Sequence, residues 1–112
     1  MRVGNLFRDI PAADDGEWIE AILTGHGDAH ATIERIVSRG GRAPAEGVFE
    51  QDWTEWVVLL QGTARLVALA PDETFDLQPG DWLEIPPGRR HYVAYTSRTP
   101  PALWLVVHLK PA

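Results

Sequence analysis

The chain has 112 residues, which suits a single domain able to bury about two-thirds of the surface that it exposes when unfolded. Ten Lys and Arg residues against sixteen Asp and Glu give a net charge of -6, and the basic residues are scattered apart from Arg89-Arg90. A nucleic-acid partner is therefore not expected. The absence of cysteine excludes disulfides, thiolate zinc sites and cysteine nucleophiles.

No apolar run approaches the roughly 20 residues that span a bilayer, and the first residues lack the apolar region of a signal peptide. We therefore expect no membrane partner and a cytoplasmic location.

Residues 1–30 are predicted to form an N-terminal segment with one short helix. The run from Asp14 to Glu17 has the spacing of a capping box, and four apolar residues that share one helical face follow it: Trp18, Ile19, Ile22 and Leu23. The helix is predicted over residues 14–24, since Gly25 is a common type of helix terminator.

From residue 31 onward, short runs rich in β-branched residues are separated by segments of turn residues at nearly regular spacing. The predicted strands are 31–39, 48–51, 55–61, 64–70, 74–77, 82–85, 91–96 and 102–109. Short strands at this spacing predict an all-β domain, either a closed barrel or a pair of packed sheets. We expect one domain over residues 1–112, with the barrel at 31–109.

Two of these strands are apolar on both faces, at residues 56–60 and 103–107. A strand that lines a barrel needs only one apolar face, so the other face must be covered. The N-terminal segment could cover one of them. A second copy of the chain could cover the other, and a homodimer is expected for this reason.

The most specific pattern lies between Gly80 and His91. It reads Gly80, five residues, Pro86, one residue, Gly88, two residues and then His91. Pro86-Pro87-Gly88 predicts a tight turn that places the histidine at the start of a strand. The spacing resembles the second sequence motif of the cupin family, whose members are small β-barrels that often hold a metal ion.

The first cupin motif is present only in part. Glu55 and Gly62, with six residues between them, match its end. The two histidines that precede this glutamate in the family are replaced, either by Glu50 and Val48 or by Gln51 and Phe49. The resemblance covers about residues 34–109 and implies a jelly-roll barrel, a double-stranded β-helix, with an altered set of metal ligands.

The resemblance implies that Glu55 and His91 are metal ligands and that Glu50 or Gln51 supplies a third. Neighbouring residues of a strand point to opposite faces, so only one of these two is expected to reach the site. A carboxylate is the better ligand, which favours Glu50. Imidazole with carboxylate suits a divalent ion such as zinc, manganese, iron or nickel, at about 2.0–2.2 Å.

Two further residues are candidates for chemistry. Alternation along the strand that begins at His91 predicts that Tyr95 also faces the interior, while His108 shares a face with Val106 and Trp104. If the protein is an enzyme, the metal would act as a Lewis acid or oxygen-activating centre. Tyr95 or His108 would then donate a proton or orient the substrate.

Three functions stay open at this point. The first is a metal-binding barrel that also holds a small polar ligand. The second is a metal-free binding module in which Glu55, Tyr95, Trp53 and Trp56 hold a small molecule. The third is a structural dimer without a ligand, in which His91 is a partly buried histidine bonded to a backbone carbonyl and Glu55 is a carboxylate at a strand end.

Overall fold

The secondary structure is entirely β in the part of the chain that the structure, a computed structural model, describes, namely residues 1–12, 16–24, 30–40 and 47–111. The strands are β1 Gly16–Leu23, β2 Ala31–Arg39, β3 Thr54–Gln61, β4 Ala64–Ala68, β5 Glu73–Leu77, β6 Trp82–Ile85, β7 His91–Thr96 and β8 Ala102–Leu109. The predictions for β2, β6, β7 and β8 have these same bounds, and the predictions for β3, β4 and β5 differ by one or two residues at one end. Of the strand predicted at 48–51, only Phe49 forms a β-bridge, opposite His91.

The strands form two antiparallel sheets around an apolar core. The larger sheet has the order β1-β2-β8-β3-β6 and the smaller one the order β5-β4-β7. Leu59 and Trp104 of the larger sheet pack with Leu66 of the smaller one in the centre. Except at bulges, successive side chains of a strand point alternately into this interior and to the outside, as a two-sheet barrel requires. The predicted jelly-roll barrel is confirmed.

The predicted N-terminal helix is wrong. Residues 16–23 form β1, an edge strand of the larger sheet, while Asp14 lies outside the described residues. β1 pairs with β2 from Gly16 opposite Arg39 to Leu23 opposite Ile33. Its burial alternates with period 2, since ladder hydrogen bonds and sheet packing override the local capping signal. The larger sheet therefore extends before residue 31, where the barrel was expected to begin. No helix long and apolar enough to cross a membrane occurs in the described ranges.

Arg35 fastens the first residues of the chain to the outside of the larger sheet. Its guanidinium donates hydrogen bonds to the carbonyls of Leu6 at 3.1 Å and Arg8 at 2.6 Å. It also lies 3.3 Å from the Glu20 carboxylate and 5.3 Å from the centre of the Trp18 ring. The N-terminal segment thus covers the outer face of β1 and β2, rather than that of β3 or β8.

The outer face at the other end of this sheet is apolar and partly exposed. Trp56 of β3 and Trp82 of β6 lie with their ring centres 6.0 Å apart, and Trp82 is exposed. A second copy of the chain at this face stays a prediction.

Gly62 closes the hairpin between β3 and β4. Its φ of 80° is one that residues with a side chain rarely adopt, and a Cβ there would lie 2.6 Å from Ser97 Oγ and 2.9 Å from the Pro101 carbonyl oxygen. The glycine at the end of the first motif is therefore required by the close packing of this hairpin against the loop before β8.

Candidate functional site

The turn between β6 and β7 fixes the position of His91. Gly88 has a φ of 77°, and its backbone N–H donates to the carbonyl of Gln51 at 2.8 Å. The backbone groups of His91 and Phe49 exchange two hydrogen bonds, of 2.7 and 3.1 Å. The turn that precedes His91 and the residue itself are consequently both hydrogen-bonded to the segment before β3, and only 3% of His91 is exposed.

The hydrogen bond at one ring nitrogen determines the tautomer of His91. Its Nδ1 lies 2.9 Å from the Arg89 carbonyl oxygen, which can only accept, so Nδ1 carries the proton. In the neutral ring, Nε2 then carries no proton and has a free lone pair. This atom faces Glu55 Oε2 at 3.7 Å, too far for a hydrogen bond.

Glu55 is on β3, opposite Ile85 of β6 and His108 of β8, and it is 8% exposed. Its Oε2 atom is buried and has no hydrogen-bond partner among the described residues. A buried carboxylate oxygen without a partner is costly. Two electron-pair donors, Glu55 Oε2 and His91 Nε2, therefore face each other, an arrangement that a proton or a metal cation between them would stabilise.

The two candidates for the third ligand lie in different places. Gln51 lines the cavity that contains His91 and Glu55. The carboxylate of Glu50 is exposed instead and lies 3.9 Å from Arg90 Nε. Chemical preference favoured Glu50, but the bridge between Phe49 and His91 fixes the alternation of this segment so that Gln51 is the one beside the cavity.

In the described ranges, no cluster of three or more His, Asp or Glu side chains is placed to hold a metal ion. The residues present therefore fit a site with two strong protein ligands, His91 and Glu55, and at most an amide oxygen from Gln51.

A second histidine, His108, has all of its ring nitrogens occupied. Trp53 Nε1 donates to His108 Nδ1 at 2.9 Å, and because indole nitrogen is only a donor, the His108 proton must be on Nε2. That Nε2 lies 2.8 Å from Glu34 Oε1 and donates to it. His108 lines the cavity together with Val106 and Trp104, the two residues predicted to share its face, while Glu34 and the indole of Trp53 were not recognised as its partners.

These groups share one cavity of about 230 Å³. The polar residues that line it are Glu17, Glu34, Gln51, Glu55, His91 and His108. The apolar and aromatic residues are Ile19, Ile36, Phe49, Val57, Leu66, Val93, Trp104 and Val106. Apolar walls with a few convergent polar groups are typical of a small-molecule site.

Tyr95 does not line this cavity, so its predicted position is wrong. β7 has a bulge, because Leu66 of β4 lies opposite Val93 while the preceding Arg65 lies opposite Tyr95. The extra residue, Ala94, breaks the alternation that begins at His91. Tyr95 therefore points outward with Arg65 and is 50% exposed, and Thr96 takes the buried position that follows.

The sequence profile of the family described as "Cupin domain" matches residues 37–108. This is more than half of the chain, and together with the two-sheet barrel and the motif that ends at His91 it shows that the chain belongs to the cupin family. No curated protein matches the sequence.

Three solved structures illustrate the range of the fold. A Ralstonia eutropha protein provisionally described as a mannose-6-phosphate isomerase is 32% identical, with a TM-score of 0.86 over 99% of this chain and 100% of that one. A cupin superfamily protein from Desulfitobacterium hafniense is 21% identical, with a TM-score of 0.72 over 91% and 84%. A variant of Bacillus subtilis oxalate decarboxylase is 16% identical, with a TM-score of 0.71 over 88% of this chain and 26% of that protein.

Proposed function

We propose that this protein holds a divalent metal ion between His91 and Glu55 and a small polar ligand in the adjoining cavity. The observation that carries the proposal is Glu55 Oε2, which is buried without a hydrogen-bond partner among the described residues and lies 3.7 Å from His91 Nε2. Imidazole nitrogen and carboxylate oxygen together suit zinc, manganese, iron(II) and nickel.

The groups around the pair support this proposal. The Arg89 carbonyl holds the proton on His91 Nδ1, which directs the other nitrogen toward Glu55. Such a bond to the far nitrogen is the usual way in which a metal-binding histidine is oriented. The amide of Gln51 is the available third ligand, and since an amide is a weaker ligand than imidazole, we expect modest affinity.

A bound ion would supply Lewis-acid chemistry to a ligand in the cavity. The residues of the chain would hold and orient that ligand. His108 presents a proton on Nε2, but it is committed to Glu34, so it acts as a proton donor only if the ligand displaces that carboxylate. An enzymatic role is compatible with this arrangement, and so is simple binding.

The alternative is a metal-free binding module in the same cavity. Its support is the small number of strong ligands, because two are fewer than the three protein ligands of most catalytic metal sites. The activity described for the Ralstonia protein would require recognition of a sugar phosphate. We do not extend it to this chain, since no Lys or Arg is among the described residues that line the cavity.

Calorimetric titration of chelator-treated protein with manganese, iron(II), nickel and zinc tests the proposal. We expect at least one ion to bind more tightly than about 1 mM. His91→Ala and Glu55→Gln should each weaken that binding by about ten-fold or more, because each removes one of two strong ligands. His30→Ala is the matched control, since this histidine is exposed and outside the cavity.

If no ion binds more tightly than about 1 mM, or if the His91 variant binds like the wild type, the metal-free module is the better account.

A further inference from the structure

The charged side chains that line the cavity, among the described residues, are all carboxylates. Glu34 and Glu55 lie on β2 and β3, on either side of the central strand β8, and Glu17 lies at the mouth on β1. The cavity therefore attracts positive charge and repels anions, and its apolar walls strengthen this effect by limiting solvent screening.

The Glu34 carboxylate is a fixed acceptor in this cavity. His108 holds one of its oxygens at 2.8 Å, and Trp53 in turn holds the tautomer of His108. The two imidazole protons of the cavity are both used inside the protein, one by Glu34 and one by the Arg89 carbonyl. What His91, Glu34 and Glu55 offer to a ligand is consequently acceptor capacity.

A second sign that the cavity takes a cation is Glu55 Oε2, a buried oxygen without a hydrogen-bond partner among the described residues, in a residue that is 8% exposed. Two basic side chains of the described residues are engaged by other groups. Lys110 Nζ lies over the Trp53 ring at 4.8 Å, and Arg89 donates to the Pro71 carbonyl and to Glu73 at 2.8 Å each.

We infer that the organic ligand of this cavity is a small cation, namely an amine or ammonium compound with an apolar body. The charged head would pair with Glu34, and the body would contact the apolar wall and the aromatic rings of Phe49 and Trp104. This inference rests on the proposed function for its cavity and names the class of the small ligand.

A metal ion and an organic cation are compatible in this cavity. Glu34 and Glu55 carry two formal negative charges, which a divalent ion would balance. An anionic ligand meets no excess of positive charge from the described residues in either state. Because a divalent ion would balance the charges of Glu34 and Glu55, the preference for a cation is expected in full in the metal-free protein, and this is the form in which the inference is tested.

Three probes of one shape test the inference: benzylamine, benzyl alcohol and benzoate, which are cationic, neutral and anionic at pH 7. Each would be titrated into chelator-treated protein, with affinity read by calorimetry and by the thermal midpoint. We expect benzylamine to bind about ten-fold or more tightly than the other two and to raise the midpoint.

Glu34→Gln removes one charge from the cavity and should weaken benzylamine binding about ten-fold. Asp76→Asn is the matched control, because it removes one carboxylate charge from the outside of the smaller sheet and changes the net charge of the protein equally. Benzylamine affinity should be the same in this control as in the wild type.

The outcomes separate the inference from the proposed function. Metal binding without a preference for benzylamine overturns the inference and leaves the metal proposal standing. A preference for benzylamine without metal binding supports the inference and overturns the metal proposal. Equal binding of the amine and the alcohol, or tighter binding of benzoate, overturns the inference, because the cavity would then not select for positive charge.

Discussion

The cavity contains two histidine–glutamate pairs whose hydrogen bonding differs. In one pair, His108 Nε2 donates to Glu34 at 2.8 Å while Trp53 donates to Nδ1, so every ring nitrogen has a partner within the protein. In the other, His91 Nε2 and Glu55 Oε2 are 3.7 Å apart and the carboxylate oxygen has no hydrogen bond among the described residues. The hydrogen bonds of the first histidine are therefore all made within the protein, whereas the members of the second pair are not hydrogen-bonded to each other.

The difference shows how the same two residue types serve two purposes. In both rings one nitrogen is fixed by a group outside the pair, but a donor fixes His108 and an acceptor fixes His91. The donor turns the His108 proton toward its glutamate, and the acceptor turns the His91 proton away from its glutamate. The identity of that third group therefore decides whether the histidine proton lies between the two residues of the pair, as in His108 and Glu34, or points away from it, as in His91.

The largest effect on stability is expected from His108→Ala. It leaves the Glu34 carboxylate and the Trp53 indole N–H without their partners and also empties space between β8 and its neighbours. The expected loss is about 2–3 kcal/mol in the free energy of unfolding, measured by urea denaturation of chelator-treated protein.

Trp53→Phe is the matched variant, since it removes one donor and keeps the aromatic ring, and it should cost about 1 kcal/mol. If His108→Ala costs no more than this variant, the hydrogen-bonded chain is not what stabilises this side of the cavity.

A smaller effect of opposite sign is expected from Glu55→Gln in the metal-free protein. The amide can donate to the lone pair on His91 Nε2, and the substitution removes a buried charge whose Oε2 atom has no hydrogen bond among the described residues. The expected gain is about 1–2 kcal/mol, measured in the same way, although this variant should lose the metal.

The same substitution could instead reduce stability. That result would mean that the His91 ring is protonated and that Glu55 is its counter-ion, so the pair would be complete without a metal, like its neighbour.

Much of the fold was predictable from sequence because it rests on local patterns. Turn residues such as Pro86 to Gly88 and alternating apolar residues determined the bounds of β6, β7 and β8. β1 was not predictable in this way, because its strand conformation depends on pairing with β2 against a local helix signal. Which strand pairs with β1 cannot be read from the local sequence pattern.

The site was predictable where a motif names residues and less so where long-range pairing decides. His91 and Glu55 followed from motif spacing, and His108 from alternation. Glu34 was missed because only the pairing of β2 with β8 brings it beside His108, 74 residues away in sequence. Tyr95 was misplaced because the single-residue bulge in β7 cannot be recognised from the sequence of the strand alone.

The smallest effect on stability is expected from a third pair, which lies on the outer surface of the barrel. This pair allows the effect of burial to be distinguished from the effect of hydrogen-bond geometry. Arg65 Nε donates to Asp76 Oδ1 at 2.7 Å and a second bond of 3.3 Å runs to Oδ2, so its geometry is the most favourable of the three pairs. Its side chains are nevertheless 53% and 66% exposed, and exposed pairs contribute little. If hydrogen-bond distance alone determined stability, Asp76→Asn would be as costly as His108→Ala.

The contribution of this pair to stability should depend on pH, and the direction follows from the pKa of its carboxyl group. The side-chain hydrogen bond from Arg65 lowers the pKa of Asp76 below its ordinary value of 3.8. A carboxylate whose folded pKa is lower than its unfolded one stabilises the fold above about pH 4, and the contribution disappears as the pH falls through the folded pKa. The urea midpoint of wild type should therefore exceed that of Asp76→Asn slightly at pH 7, and the two should converge near pH 2, provided both remain folded. A difference that grows on acidification would contradict this assignment, because the pair would then contribute most when its carboxylate is protonated.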